Sequence, residues 1–145
     1  MTKHTTDSLE QTEKIATDFV STLSPNQDRA VVVGLYGNLG AGKTTLTQLI
    51  AKSLGVVDTV TSPTFVIEKI YELTNQRFAH LIHIDAYRIE KSSELLHLGW
   101  SEIISDPNNL ILIEWPERVE DIMPAHIRLN LSHVSENSRE IEIIL

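Results

Sequence analysis

A valine-rich apolar run passes directly into a glycine-rich segment between residues 30 and 44. Residues 30–36 read AVVVGLY, a composition typical of a strand that is buried on both faces of a parallel sheet. Residues 37–44 read GNLGAGKT, and an apolar repeat at helical spacing follows over Leu46–Leu54, with Gly55 placed to end a helix. This order of strand, loop and helix predicts an α/β fold built around parallel strands.

The glycine-rich segment satisfies the pattern G-x-x-x-x-G-K-[ST] of a phosphate-binding P-loop. Its glycines allow the backbone N–H groups to point inward, and the following helix directs its N-terminal dipole to the same place. Lys43 is expected to reach the β- and γ-phosphates of a nucleotide, and Thr44 to offer its hydroxyl to Mg²⁺. The segment therefore predicts a site for ATP or ADP with Mg²⁺.

Two carboxylates follow buried strands elsewhere in the chain. Asp85 ends the run HLIHID, and Glu114 ends the run LILIE. Ligands of open α/β sheets lie outside the carboxyl ends of the strands, so both side chains are expected beside the loop. One would hold the metal's water shell and the other would orient or deprotonate the attacking water; the residues alone leave the assignment open. His80 and His83 point to opposite faces of their strand and are interpreted as structural.

The remaining periodic segments complete a three-layer α/β sandwich with a mixed, mostly parallel sheet and an added antiparallel hairpin. Asp7 or Ser8 is expected to cap a first helix that runs to about Leu23. Ser92 or Ser93 is expected to cap a short helix over Glu94–Leu98. The other predicted elements are the hairpin strands Thr64–Glu72 and Arg77–Asp85, a helix from Trp100, a strand at Leu110–Glu114, and late strands at Ile127–Leu131 and Glu140–Leu145.

Composition limits the function classes. The chain has 145 residues, no cysteine, no apolar segment long enough for a membrane, and no signal-like N-terminus, so one domain over residues 1–145 in the cytoplasm is expected. The net charge is −8, and residues 90–145 carry 11 acidic and 4 basic side chains. Such a surface is poorly suited to hold DNA or RNA directly; it either serves solubility or docks a basic protein partner.

Missing motifs narrow the choice of enzyme. No N-K-x-D motif for reading guanine is present, and the arginines are too few and scattered for a typical kinase lid. The residues therefore predict a small ATPase, with a small-molecule kinase as the main alternative and a non-hydrolysing ATP sensor as a third. Residues 62–65 (SPTF) are either a γ-phosphate-sensing loop or an ordinary turn that opens a strand.

Five motifs in fixed order give the chain a family resemblance. GNLGAGKTT, VTSPTF, HIDAYR, LGWSEII and LILIEWPER occur between about Val31 and Pro124. Together they closely resemble the bacterial TsaE family (formerly YjeE), P-loop ATPases of tRNA threonylcarbamoyladenosine biosynthesis. The resemblance implies an ATPase that is weak alone and works with two partners, TsaD and TsaB. TsaD would perform the transfer to the tRNA, which this chain would meet only through the complex.

The resemblance also implies roles for individual residues. Glu114 would hold Mg²⁺ through water, Asp85 would assist catalysis, and Thr64 would act as a switch-like sensor. Trp115 would pack beside the nucleotide, and Thr12 would approach the adenine. The loop residues implied in nucleotide binding are Asn38, Leu39, Gly40, Ala41, Gly42, Lys43, Thr44 and Thr45.

Overall fold

A computed structural model describes residues 2–57 and 67–145, and the strands in these ranges form one seven-stranded sheet. Their order across the sheet is β1-β7-β6-β2-β5-β4-β3. The strands are β1 (Thr2–Thr6), β2 (Val31–Tyr36), β3 (Glu68–Glu72), β4 (His80–Asp85), β5 (Asn109–Glu114), β6 (Ile127–Ser135) and β7 (Ser138–Ile144).

The centre of the sheet is parallel and both edges are antiparallel. Strands β6, β2, β5 and β4 run parallel to one another. At one edge β3 pairs antiparallel with β4, which confirms the predicted hairpin over the described residues. At the other edge β7 pairs antiparallel with β6, and β1 with β7. The mixed sheet with a parallel core is therefore as the sequence predicts.

Helices cover both faces of this sheet. The described α-helices are α1 (Leu9–Ser21), α2 (Lys43–Ser53), α3 (Ser92–Leu96) and α4 (Trp100–Ser105), and a 3₁₀ segment spans Pro116–Ile122. No helix in these ranges combines the length and apolar character that a membrane crossing requires. The cap of α1 is Ser8, whose side chain accepts a hydrogen bond from the Gln11 N–H at 3.2 Å.

The start of α3 differs from the prediction. This helix begins at Ser92 itself, so neither Ser92 nor Ser93 is its cap. The Glu94 carboxylate instead accepts hydrogen bonds from the backbone N–H groups of Glu90 and Lys91, at 2.7 and 2.9 Å. An acidic side chain in the first turn therefore satisfies the donors that a serine cap was expected to satisfy.

Two apolar clusters explain why the central strands read as unbroken apolar runs. Alternate residues of a strand point to opposite faces, so Val33 and Leu112 join the cluster beneath α1 and α2. Val32 and Ile111 join the cluster on the other face, which α3, α4 and the 3₁₀ segment cover. Since both faces are buried, β2 and β5 are apolar almost throughout, and the three-layer prediction is confirmed.

Strand β1 was not predicted. Its sequence, TKHTT, is polar, and its first four residues are exposed. It lies at the sheet edge against β7, where side chains face water and no apolar alternation is needed. The element therefore depends on a partner more than 130 residues away in the sequence, through pairs such as Thr2–Ile143 and Thr6–Arg139.

The register of the parallel strands positions the candidate site. Asp85 is paired with Glu114 between β4 and β5, and Leu35 is paired with Glu114 between β2 and β5. Because these strands are parallel, their carboxyl ends lie on the same side of the sheet. The glycine-rich loop follows the carboxyl end of β2, so the loop and both carboxylates lie close together.

The buried face of β5 yields a stability prediction. Ile111 is fully buried, so Ile111→Ala removes packed methyl groups and is expected to lower the free energy of unfolding by about 2–5 kcal/mol. Ile70, on the edge strand β3, is 53% exposed, and Ile70→Ala is expected to cost less than about 1 kcal/mol. Urea unfolding of both variants measures the difference. Equal losses of unfolding free energy in the two variants would contradict the burial of Ile111 in the core.

Candidate functional site

The glycine-rich loop curls tightly between β2 and α2. Gly37 has a φ of 152°, and a Cβ at this position would lie 2.6 Å from the Leu131 carbonyl oxygen, so a side chain cannot be accommodated. Gly40 and Gly42 have φ values of 80° and 102°, which favour glycine. Gly42 is the cap of α2, and that helix therefore begins at Lys43 with its N-terminus facing the curled loop.

Lys43 is buried within this loop and is only 6% exposed. Its ammonium group donates hydrogen bonds to the carbonyl oxygens of Gly37 and Asn38, the latter at 3.1 Å. The same group lies 4.1 Å from the centroid of the Trp115 ring, within cation–π range. Burial lowers the pKa of Lys43, and the nearby carboxylates of Glu114, Glu117 and Asp85 oppose that shift.

Glu114 is a buried carboxylate at the end of β5, with 2% of the residue exposed. Its Oε1 accepts a hydrogen bond from the Thr44 hydroxyl at 3.2 Å. Its Oε2 lies 2.6 Å from Nε2 of His83, which β4 places on the same face of the sheet. His83 was predicted to be structural, although its spacing of two residues from Asp85 already places both on one face.

Asp85 lies beside Glu114 but is more open to water. It is partly exposed, and its Oδ1 accepts a hydrogen bond from the backbone N–H of Tyr87 at 3.0 Å. The Ala86 N–H donates to the Glu114 carbonyl oxygen at 3.0 Å, which extends the β4–β5 pairing one residue past the strand end. The two carboxylates therefore lie next to each other at the carboxyl ends of β4 and β5, as expected.

A cleft of about 440 Å³ brings most of the predicted residues together. Tyr87, Arg88 and Arg139 also line the cleft, although they were not predicted as site residues. Tyr87 and Arg88 belong to the HIDAYR motif, and this proximity to Asp85 was the available signal. Arg139 comes from β7, and no local pattern connects it to the loop. The predicted residues that line the cleft are Leu39, Gly40, Gly42, Lys43, Thr44, Thr45, Asp85, Glu114 and Trp115.

Three predicted residues that the structure describes do not line this cleft: Thr12, Asn38 and Ala41. Thr12 and Ala41 line a neighbouring cleft of about 290 Å³, which shares Gly42, Thr45 and Arg139 with the first. Asn38 contributes its carbonyl oxygen to the Lys43 ammonium group. Thr64 and the rest of the SPTF segment lie outside the described residues, so its predicted role stays a prediction.

The side chains near the loop fit a hard cation together with phosphate. Thr44, Glu114 and Asp85 offer hydroxyl and carboxylate oxygens, which Mg²⁺ prefers. Within residues 2–57 and 67–145, no group of three or more His, Cys, Asp or Glu side chains is arranged to hold a metal ion. Thr44, Glu114 and Asp85 are therefore the described side chains that could hold a Mg²⁺ ion beside bound phosphate.

Residues 6–141 match the family described as "Threonylcarbamoyl adenosine biosynthesis protein TsaE". The chain belongs to the TsaE family. A relative from Aquifex aeolicus, named as a tRNA threonylcarbamoyladenosine biosynthesis protein TsaE, is 34% identical over 139 residues, covering 94% of this chain and 91% of the relative. A relative of the same name from Nostoc sp. is 39% identical over 115 residues, covering 77% of this chain and 68% of the relative.

A solved structure agrees with this family assignment at the level of the fold. The crystal structure of YdiB from Bacillus subtilis superimposes with a TM-score of 0.75 and 29% sequence identity. The alignment covers 97% of this chain and 82% of YdiB. The mixed sheet of this TsaE family member is therefore shared with an experimentally determined structure over nearly its whole length.

The loop geometry yields a prediction about glycine. Gly40 has a positive φ but open space around its Cβ position, so Gly40→Ala is expected to cost about 1–2 kcal/mol of stability from backbone strain alone. Gly37→Ala adds an overlap with the Leu131 carbonyl oxygen, which is expected to cost a further 1–3 kcal/mol or so. Chemical unfolding measures both variants. A Gly37→Ala chain as stable as Gly40→Ala would contradict the tight approach of the loop to β6.

Proposed function

We propose that this chain is the ATP-binding and ATP-hydrolysing subunit of a cytoplasmic tRNA threonylcarbamoyladenosine biosynthesis complex, formed with TsaB and TsaD. Residues 1–145 would act as one ATPase domain. Membership of the TsaE family and the names of its relatives support the pathway. One observation carries the proposed chemistry: Thr44 of the glycine-rich loop bonds to Glu114, while Asp85 stands beside them in the same cleft.

Nucleotide binding would rest on the loop and its lysine. Backbone N–H groups of residues 38–45 would surround the phosphates at the N-terminus of α2. Lys43 would exchange its bonds to the loop carbonyls for bonds to phosphate oxygens, a stronger charge-assisted pairing. Trp115 already packs against that ammonium group and would border the nucleotide. Thr12, in the neighbouring cleft that shares Gly42 and Thr45, would approach the adenine.

The two carboxylates would then divide the work. Glu114 is buried and bonded to Thr44, so these two residues together would hold the Mg²⁺ site, with Glu114 acting through water. Held by these residues, Mg²⁺ would supply positive charge to offset the charge that develops on the phosphate. Asp85 is the more exposed of the pair, which favours it as the group that orients a water molecule. Thr64 would sense the γ-phosphate.

Hydrolysis would need few covalent contributions from the protein. The water oxygen would attack the γ-phosphorus as the bond to the β-phosphate oxygen breaks, giving ADP and phosphate. Asp85 would hold the water in line and accept its proton, after which the proton would pass to solvent. The expected rate is low for the isolated chain and higher in the complex, as the family resemblance implies.

The distribution of charge suggests where the partners would lie. Residues 90–145 carry 11 acidic and 4 basic side chains, a poor surface for tRNA. TsaB and TsaD would therefore supply the tRNA contact, and the acidic half would face one of them. In this arrangement TsaD performs the transfer, and ATP hydrolysis by this chain resets or drives the complex.

Stimulation by partners tests the proposed function. The purified chain is expected to hydrolyse ATP slowly and to turn over at least about tenfold faster with TsaB and TsaD present, which corresponds to an activation barrier lower by about 1.4 kcal/mol. Phosphate release and a search for any phosphorylated acceptor measure the two outcomes. A rate of ATP hydrolysis that is unchanged by TsaB and TsaD would contradict the proposal. Transfer of phosphate to an acceptor other than water would favour a kinase. Unchanged complex function in Asp85→Asn and Glu114→Gln chains would favour an ATP sensor.

Single substitutions test the assigned roles. Lys43→Ala is expected to weaken ATP binding about 10- to 100-fold, because charge-assisted hydrogen bonds to phosphate are lost. Asp85→Asn is expected to lower kcat by about 10²–10⁴ with little change in binding. Calorimetry and steady-state kinetics measure each. Lys52→Ala is the matched control, since it removes a lysine from the last turn of α2 and should leave both quantities unchanged. Wild-type affinity in Lys43→Ala would refute the loop assignment.

A further inference from the structure

A histidine lies beneath the candidate site in the interior of the sheet. The side chain of His83 is fully buried on β4, on the face that α2 covers. Its neighbour on the same face, Leu81, belongs to the apolar cluster beneath α1 and α2. A polar ring in such a place is costly unless its nitrogen atoms are hydrogen-bonded.

One nitrogen of this ring is bonded to Glu114. The distance from His83 Nε2 to Glu114 Oε2 is 2.6 Å, shorter than the 3.2 Å from the Thr44 hydroxyl to Oε1. We assign the hydrogen of this bond to Nε2, so that His83 donates and the Glu114 carboxylate accepts. The Glu114 carboxylate is therefore held between a donor from the sheet interior and a donor from the glycine-rich loop.

The second nitrogen of the ring argues for a role of this contact beyond packing. Nδ1 of His83 is buried and has no hydrogen-bond partner within the described residues. An unsatisfied buried polar atom costs about 1–3 kcal/mol, so apolar packing alone does not explain a histidine at this position. The one polar contact of the ring in the described part of the chain is the bond to Glu114.

The register of β4 and β5 brings two side chains of β4 close to Glu114. Asp85 is paired with Glu114, and His83 is paired with Leu112, two residues earlier on both strands. Residues two apart share a face, so Asp85 stands beside Glu114 and His83 reaches it diagonally from below. The same strand thus presents one carboxylate to the cleft and one donor to the carboxylate of its neighbour.

We propose that His83 is a positioning residue that fixes the orientation of Glu114 at the Mg²⁺ site. The inference rests on the proposed function, in which Glu114 and Thr44 hold that site. With Oε2 bound to His83, Oε1 is the oxygen left to Thr44 and the cleft. Without the donor, the Thr44 hydroxyl alone would orient the carboxylate, and Oε1, which would hold the metal's water shell, would be less firmly placed. Loss of such supporting hydrogen bonds around a metal ligand typically costs 10- to 100-fold in metal affinity or activity.

Two substitutions at His83 separate the donor from the ring's bulk. His83→Leu keeps an apolar group of similar size without a donor, whereas the amide nitrogen of His83→Gln can replace Nε2–H. Calorimetry with a non-hydrolysable ATP analogue, with and without Mg²⁺, measures how much the metal strengthens nucleotide binding. In His83→Leu this Mg²⁺-dependent gain is expected to fall about 10- to 100-fold, with metal-free affinity unchanged. His83→Gln is expected to recover most of the gain, and kcat is expected to follow the same order.

Leu81→Ala provides the matched control. It lies on the same face of the same strand and is fully buried, so it lowers stability without touching Glu114. Its Mg²⁺-dependent gain is expected to equal that of the wild type. A His83→Leu chain that matches this control would overturn the inference while leaving the proposed function intact, and so would equal losses in the leucine and glutamine variants. If Mg²⁺ does not change the nucleotide affinity of the wild-type chain, both the role of His83 and the proposed function are overturned.

Discussion

The candidate site depends on the in-register pairing of β4 with β5. Backbone hydrogen bonds of this parallel pair set Asp85 directly beside Glu114, and the pairing of β2 with β5 sets Leu35 on the other side. Because side chains alternate between faces, a shift of one strand by a single residue would turn one carboxylate away from the loop. The two apolar clusters favour that register, because the same shift would exchange the side chains packed in one cluster with those packed in the other. Core packing and site geometry are thus set by the same alignment.

The parts of this arrangement that could be predicted are those with local signals. The run of residues 31–36 is apolar because both faces are covered, and the loop after it carries a complete pattern of glycine, lysine and threonine. Asp85 and Glu114 are recognisable because each ends an apolar run, and the fold places the ends of parallel strands together. These features need no knowledge of distant partners, and the structure has them where the sequence indicated.

The features that escaped prediction depend on distant contacts. Strand β1 is polar and becomes a strand by pairing with β7 at the other end of the chain. Arg139 reaches the cleft because β7 lies along β6 beside the loop, an arrangement that no spacing in the sequence reveals. His83 was recognised as a strand residue, but its role depends on which atom lies 2.6 Å away across the β4–β5 pair. Sequence patterns specify faces and periods, whereas such contacts are set by tertiary register.

The electrostatics around Lys43 connect the buried carboxylate to ligand binding. Burial lowers the pKa of Lys43, because removal from water penalises the charged ammonium, while Glu114, Glu117 and Asp85 favour that charge. A polyphosphate bound in the loop would add negative charge near the ammonium and raise its pKa toward the ordinary value. The charged lysine and the bound anion therefore stabilise each other. The same negative charge would repel the carboxylates of Glu114 and Asp85, and the Mg²⁺ ion proposed for this site would offset that repulsion. The oxygens of Thr44 and Glu114, which lie 3.2 Å apart, are the groups that would hold such a cation.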